Sequence, residues 1–157
     1  MSLRIRPVAR EARVESRTEA EIESFLADYP PQIVSQVEIL RALVARAVPE
    51  ANDRLRPGWR LIAYDLPITR HGTYFAYVAP EPKHVHLGFA WGTLMSDPRG
   101  ALEGAHLRLR RVRYLTYLPN ERIVARPVIA LVREAARVAA LSRGERHFVA
   151  LSRGSAT

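Results

Sequence analysis

Cysteine is absent from this 157-residue chain. Its absence excludes disulfides, thiolate metal sites and cysteine nucleophiles. No apolar run approaches the roughly 20 residues of a membrane-spanning helix. The basic segment 1–17 lacks the apolar core of a secretory signal. Cytoplasmic residence, with no membrane partner, is the expectation. Also missing are a Gly-x-Ser-x-Gly elbow, a phosphate-binding glycine loop and a dinucleotide fingerprint. No cofactor is named by any motif, and a non-enzymatic domain is the expected class. Lysine is nearly absent: Lys83 is the single lysine among 24 basic residues. That arginine bias runs through the whole chain and does not mark one face.

The net charge of +8 suggests a nucleic-acid partner until it is divided along the chain. Residues 1–17 hold five arginines and two glutamates, for +3. Residues 143–157 hold three arginines and one glutamate, for +2. The remaining 18–142 hold sixteen basic and thirteen acidic residues, for +3. The part expected to fold is thus only mildly basic, and nucleic acid is not the expected partner.

A chain of this length makes one domain, with about two-thirds of its surface available for burial. The reading is a basic N-terminal arm at 1–17, a single domain at 18–142 and a C-terminal tail at 143–157. Glu11, Glu15, Glu19 and Glu23 lie four apart, so Arg13 and Arg17 can pair with them along a helix. Thr18, with Glu21 three residues on, predicts a helix start, and Pro30-Pro31 ends that helix near Asp28. A second helix over 31–48 buries Ile33, Val37, Leu40, Val44 and Val48. Strands are predicted over 60–66, 73–79, 83–91 and 112–118, joined by Pro-, Gly- and Asp-containing turns. A last helix starts near Pro127, with Val128, Leu131, Val132, Ala135 and Val138 inward and Gly144 as its stop. The segment beyond is read as a tail or a short dockable strand. The order predicts an α+β fold: an antiparallel sheet of four or five strands, with two N-terminal helices and one C-terminal helix on one face.

Residues 82–115 are the most specific stretch. In 83–91, Val85, Leu87, Phe89 and Trp91 share one face, which places His84 and His86 together on the other. Two neutral imidazoles at that spacing can share iron, zinc or nickel. A third ligand would come from Asp65, Asp97, Glu103 or His106. Tyr64 and Tyr77 are expected to line the open face beside the histidines, near Trp59. With Glu103 and Arg113 these residues form the candidate ligand site, since an apolar wall with few polar groups suits a small molecule. On one strand, Arg108 and Arg110 would face opposite to Arg111 and Arg113, which splits the arginine run between two faces. Asp97-Pro98-Arg99-Gly100 reads as a turn, as does Leu102-Glu103-Gly104.

These residues resemble the YdhG-like family, the domain of unknown function numbered 1801. The resemblance spans 22–139. It rests on the helical segment 25–51 with its Pro49-Glu50 ending, Gly58-Trp59, Tyr64, Tyr74-Phe75 and Pro80. It continues through His84-Val85, Leu87, Phe89, Gly92, Leu94, Asp97-Pro98, Leu102-Glu103-Gly104 and Arg111-Val112-Arg113. Ala105-His106 stands where many relatives carry Gly-Lys. The resemblance implies a compact α+β domain grouped with frataxin-like folds, one branch of which is linked to iron delivery. Such iron sites use carboxylates of an early helix, here Glu19, Glu21, Glu23 and Asp28. The leading expectation is a small-ligand-binding domain. The alternatives are a metal or iron protein using His84 and His86, and a nucleic-acid or protein adaptor acting through the basic ends. A monomer or a homodimer is equally compatible with the sequence.

Overall fold

A computed structural model describes residues 7–154, with side chains from Arg17 onward. Helices α1 (Pro7–Leu26) and α2 (Pro31–Ala47) precede strands β1 (Asn52–Arg56), β2 (Leu61–Leu66), β3 (Thr73–Pro80), β4 (Val85–Phe89) and β5 (Arg113–Tyr117). Helices α3 (Ala125–Ala140) and α4 (Arg143–Gly154) close the chain. The strands form one antiparallel sheet in the order β1-β2-β3-β4-β5, so the fold is α+β, as the sequence predicts.

The core forms where the periodicities meet. Helix α2 buries Ile33, Val37, Leu40 and Val44 completely, and α3 adds Val128, Val132, Ala135 and Val138. Facing them from the sheet are Ile62, Val78, Val85, Leu87 and Phe89, none of them exposed. The kink between α1 and α2 follows from Pro30 at the N-cap and Pro31 in the first turn, where a missing N–H costs no helical bond. Gln36 is buried on α2, and its amide donates to the carbonyls of Leu118 (2.7 Å) and Glu121 (2.8 Å). That tie satisfies a buried polar group and fixes the turn after β5.

The structure corrects several expectations. Helix α1 reaches back to Pro7 instead of starting at Thr18, so most of the proposed arm is helical, while residues 1–6 lie outside the described residues. Arg17 pairs along this helix with Glu21 at 3.1 Å, the residue read from the sequence as the cap partner of Thr18, and not with one of the four evenly spaced glutamates. Strand β1 was not predicted. Its Asn-Asp-Arg-Leu-Arg sequence is polar because it lies at a sheet edge, where charged side chains block further pairing. Residues 143–154 form helix α4, not a tail or strand. A reciprocal cap starts it: the Glu145 N–H donates to Ser142 Oγ (3.1 Å), and the Ser142 N–H donates to Glu145 Oε2 (2.6 Å). The Ser142-x-x-Glu145 spacing is the signature of that cap. The hydrogen bonds from Ser142 also hold the Glu145 carboxyl below its ordinary value.

Candidate functional site

The helices pack on one face of the sheet, and the register defines what the other face carries. One cross-strand row runs Arg54, Ala63, Tyr77, Gly88, Tyr114 through all five strands. Large and small residues alternate along it, so the rings fold down over Ala63 and Gly88, both of which are buried. The Tyr77 ring lies so close over Gly88 that an added Cβ would stand 1.9 Å from its Cζ. A neighbouring row holds Ala79, His86 and Thr116. Asn52, Asp65 and Tyr74 form a third, reached across a bulge at Tyr64/Asp65.

His84 and His86 share this face, as their strand parity predicts. Their Nε2 atoms are 3.0 Å apart, so one ring donates to the other. The His86 Nδ1 lies 3.1 Å from Thr116 Oγ1. The His86 ring also meets the edges of His84 (centroids 4.5 Å) and Tyr114 (4.7 Å). The outcome is a hydrogen-bonded chain, Thr116–His86–His84, walled by an aromatic ring. Burial, and then the charge of His84, hold His86 below the ordinary imidazole value. Burial pushes the phenols of Tyr74 and Tyr77 up, and both stay protonated at neutral pH.

The lowered His86 value predicts a pH dependence. An unfolded imidazole titrates near ~6.5, while folded His86 titrates below that. Below about pH 6.5 the unfolded chain therefore binds the extra proton first, and stability falls as pH falls; above it the contribution is fully present. Melting temperature should drop between pH 7.5 and 5.5, and His86→Asn should flatten that drop. An equal slope in the variant would refute the assignment.

The other expected site residues are dispersed. Trp59 is 65% exposed in a short turn after β1, with the Arg56 guanidinium over its ring at 5.2 Å. Tyr64 does not line the open face: it is 4% exposed, in the core, because its even position in β2 points to the helices. Glu103 bridges to Tyr114 through backbone bonds in both directions (2.8 and 3.1 Å) while its side chain is exposed. Arg113 does not reach the histidines. Its position pairs with Phe89 on the core-facing side, and its guanidinium donates to the carbonyls of Leu109 and Val112, both at 2.8 Å.

The expected third metal ligands separate in the same way. Asp65 pairs with Arg54 at 3.4 Å. The Asp97 carboxylate accepts the N–H groups of Ala101 and Leu102 in a turn closed by the Gly100 N–H donating to the Asp97 carbonyl. His106 is exposed in a short turn after Gly104. Among the described residues no group of three or more His, Cys, Asp or Glu is placed to hold a metal ion. In the early acidic cluster, Glu19 is taken by Arg41 and Glu21 by Arg17.

Sequence reasoning missed two features of the uncovered face. Tyr114 belongs to the histidine cluster. Arg56 has an Nε that is buried without a hydrogen-bond partner; it sits opposite Leu61 on this face, and its charge is felt by Tyr74. The pairing of β1, itself unpredicted, is what brings Arg56 there.

Comparisons with protein-family models, with curated proteins and with solved structures found nothing that matches this chain. No described helix is long and apolar enough to cross a membrane.

Proposed function

We propose that this chain is a non-enzymatic binding domain that holds a small planar ligand on the uncovered face of its sheet. The observation that carries the reading is the unpartnered, buried Nε of Arg56 on a face built from Tyr74, Tyr77, Tyr114, His84 and His86. A buried donor without an acceptor is costly, and a ligand carboxylate or carbonyl would satisfy it while the tyrosine rings pack against its plane. Five concavities of about 340 to 930 Å³ lie elsewhere, and none is lined by Tyr77, His84 or His86. The ligand would therefore rest on an open surface and not in an enclosed pocket, with micromolar rather than nanomolar affinity as the expectation. Membership of the YdhG-like family remains part of this proposal and rests on the motif residues quoted above.

The test is a thermal-shift panel of aromatic carboxylates and nucleobases against the full chain. A ligand at about 100 times its Kd stabilises the folded state by about 2.7 kcal/mol, which is a rise of roughly 5–10 °C at this size. Tyr77→Ala should abolish the rise. A rise that survives Tyr77→Ala, or a panel that moves nothing, overturns the reading.

One observation favours a second reading. Two Nε2 atoms 3.0 Å apart nearly match the roughly 3.3 Å separation of two imidazoles on one tetrahedral zinc, given Zn–N bonds of about 2.0–2.1 Å. Thr116 on Nδ1 would serve as the outer partner that orients a ligating ring. The site would complete itself with water. Zinc or nickel should then raise the melting temperature of the wild type and not of His84→Ala/His86→Ala; equal shifts in both would remove the metal.

A further inference from the structure

The arginine run that strand parity divided does not lie on a strand. Arg108 adopts a left-handed conformation after the 105–107 turn, and β5 begins only at Arg113. The intervening loop swings Arg110 and Arg111 toward helix α4. With Arg143, Arg146 and His147 they line an open cleft of about 930 Å³ around Trp91. No carboxylate is among its lining residues. The Arg111 and Arg146 guanidiniums each lie 4.4 Å from the Trp91 ring centre. Within the described residues no ion pair involves Arg110, Arg111, Arg143 or Arg146. The nearest acid in sequence, Glu145, spends its carboxylate on the Ser142 cap.

The cleft is held by backbone acceptors, which leave its charge uncompensated. Arg146 donates to the carbonyls of Ala139 and Leu141. Arg153 reaches back from the end of α4 to the carbonyl of Met95 at 2.5 Å. The Thr93 N–H donates to the Arg111 carbonyl at 3.0 Å, which pins the loop. Arg146 is thereby fixed, Arg111 is held by its carbonyl and the Trp91 ring, and the exposed Arg110 and Arg143 complete the two walls. A polyanion entering the cleft meets this charge with no carboxylate among the lining residues to displace.

We propose that this cleft binds the sugar–phosphate backbone of single-stranded nucleic acid. The cleft is open and its cations are contributed by two separate elements, the 108–112 loop and α4, so it suits a flexible strand that can follow both walls, which a stiff duplex cannot. Repeated phosphates match several guanidiniums spread over two walls, which a compact anion would not span. The Trp91 ring is already covered by arginines, so bases do not stack on it. Binding is thus through phosphates and tolerant of sequence. This site is separate from the uncovered sheet face and does not depend on the reading given to that face.

The experiment is fluorescence anisotropy of labelled dT20 and rU20 titrated with the full chain at 50, 100 and 200 mM NaCl. The paired variants are Arg110→Gln/Arg143→Gln in the cleft and Arg70→Gln/Arg122→Gln outside it. All four side chains are exposed and the two variants lose equal charge. For single strands the plot of log affinity against log salt has a slope of about −0.7 per phosphate contact. The cleft variant should lose about tenfold or more in affinity and flatten the slope by about 1.4, while the outer variant stays within twofold of wild type. Equal losses in the two variants, no binding at 50 mM NaCl, duplex bound as tightly as single strand, or tripolyphosphate bound as tightly as the 20-mer each overturn the proposal.

Discussion

Gly92→Ala should lower stability by about 3 kcal/mol, the upper part of the range for forcing a methyl into a packed site. In a chain of this size that is a fall of roughly 6–12 °C in melting temperature. A Cβ on Gly92 would stand 2.4 Å from Arg113 Cβ, 2.5 Å from Arg113 N and 2.9 Å from its Cα. These are backbone or near-backbone atoms of β5, held by the ladder to β4 and by the Arg113 guanidinium on the Leu109 and Val112 carbonyls. They cannot step aside without opening the sheet edge. Gly88 makes the useful contrast. Its missing Cβ is nearer to a neighbour, 1.9 Å from Tyr77 Cζ, yet that neighbour is the far end of a side chain on the uncovered face of the sheet, not backbone. Gly88→Ala should therefore cost only about 1 kcal/mol, part of it recovered because alanine loses less backbone entropy than glycine. Urea denaturation of both variants checks the ranking. A Gly88→Ala variant less stable than Gly92→Ala would show that the packing around β5 is not the rigid one.

How far the fold is legible in the sequence depends on how strongly burial shapes each segment. Helix α2 and strands β3 and β4 are read directly, because one buried face imposes a period of 3.6 or 2 on their apolar residues. Strand β1 has no such imprint: only Leu55 of its five residues is apolar, and its pairing with β2 is a tertiary fact. Helix α4 was visible only through its Ser142-Glu145 cap. Gly144 has the character of a helix stop, but glycine in a first helical turn is no obstacle when the cap is made. Extending α1 to Pro7 follows the same lesson, since the fourfold spacing of glutamates is a helical signal even where apolar residues are scarce.

The candidate site divides along a similar line. Parity within a single strand placed His84 and His86 together, and their mutual hydrogen bond follows from being two residues apart on one face. Parity between strands needs the register, and the register carries a bulge at Tyr64/Asp65. Tyr64 falls on the core side because the register sets Ala63, not Tyr64, opposite Tyr77, and Tyr114 joins the open face because it pairs with Gly88. The arginine run failed for a different cause. The predicted strand over 112–118 matches β5, which begins at Arg113, and Arg108 to Val112 lie in the loop that follows the turn at Gly104 with φ +115°. The meeting of that loop with α4 is created by the chain's path alone.

Arg41→Met should destabilise the fold by about 2 kcal/mol, a value set by how unevenly its partners are exposed. The Arg41 side chain is only 12% exposed, and it meets Glu19 of α1 at 2.5 Å, Glu38 of α2 at 3.2 Å and Asp53 of β1 at 3.0 Å. One guanidinium thus joins three elements. Burial by itself lowers its pKa, but the hydrogen bonds it donates to Glu19 and Asp53 override that effect and the net shift is upward. Breaking a fully buried pair costs about 3–5 kcal/mol because the surviving charge is stranded. Here Glu19 and Glu38 are 61% and 51% exposed and rehydrate freely, so their loss approaches that of a surface pair, about 0–1 kcal/mol. Asp53, at 31%, is the partner that suffers. The buried Tyr64 hydroxyl also lies beside this guanidinium and loses that neighbour in the variant. A double-mutant cycle separates these terms. Arg41→Met should be partly rescued by Asp53→Asn, with a coupling near 1 kcal/mol, and hardly at all by Glu38→Gln. If both acids couple equally to Arg41, the exposed pair is worth as much as the half-buried one, and Arg41 anchors α2 to itself more than it anchors β1 to the helices.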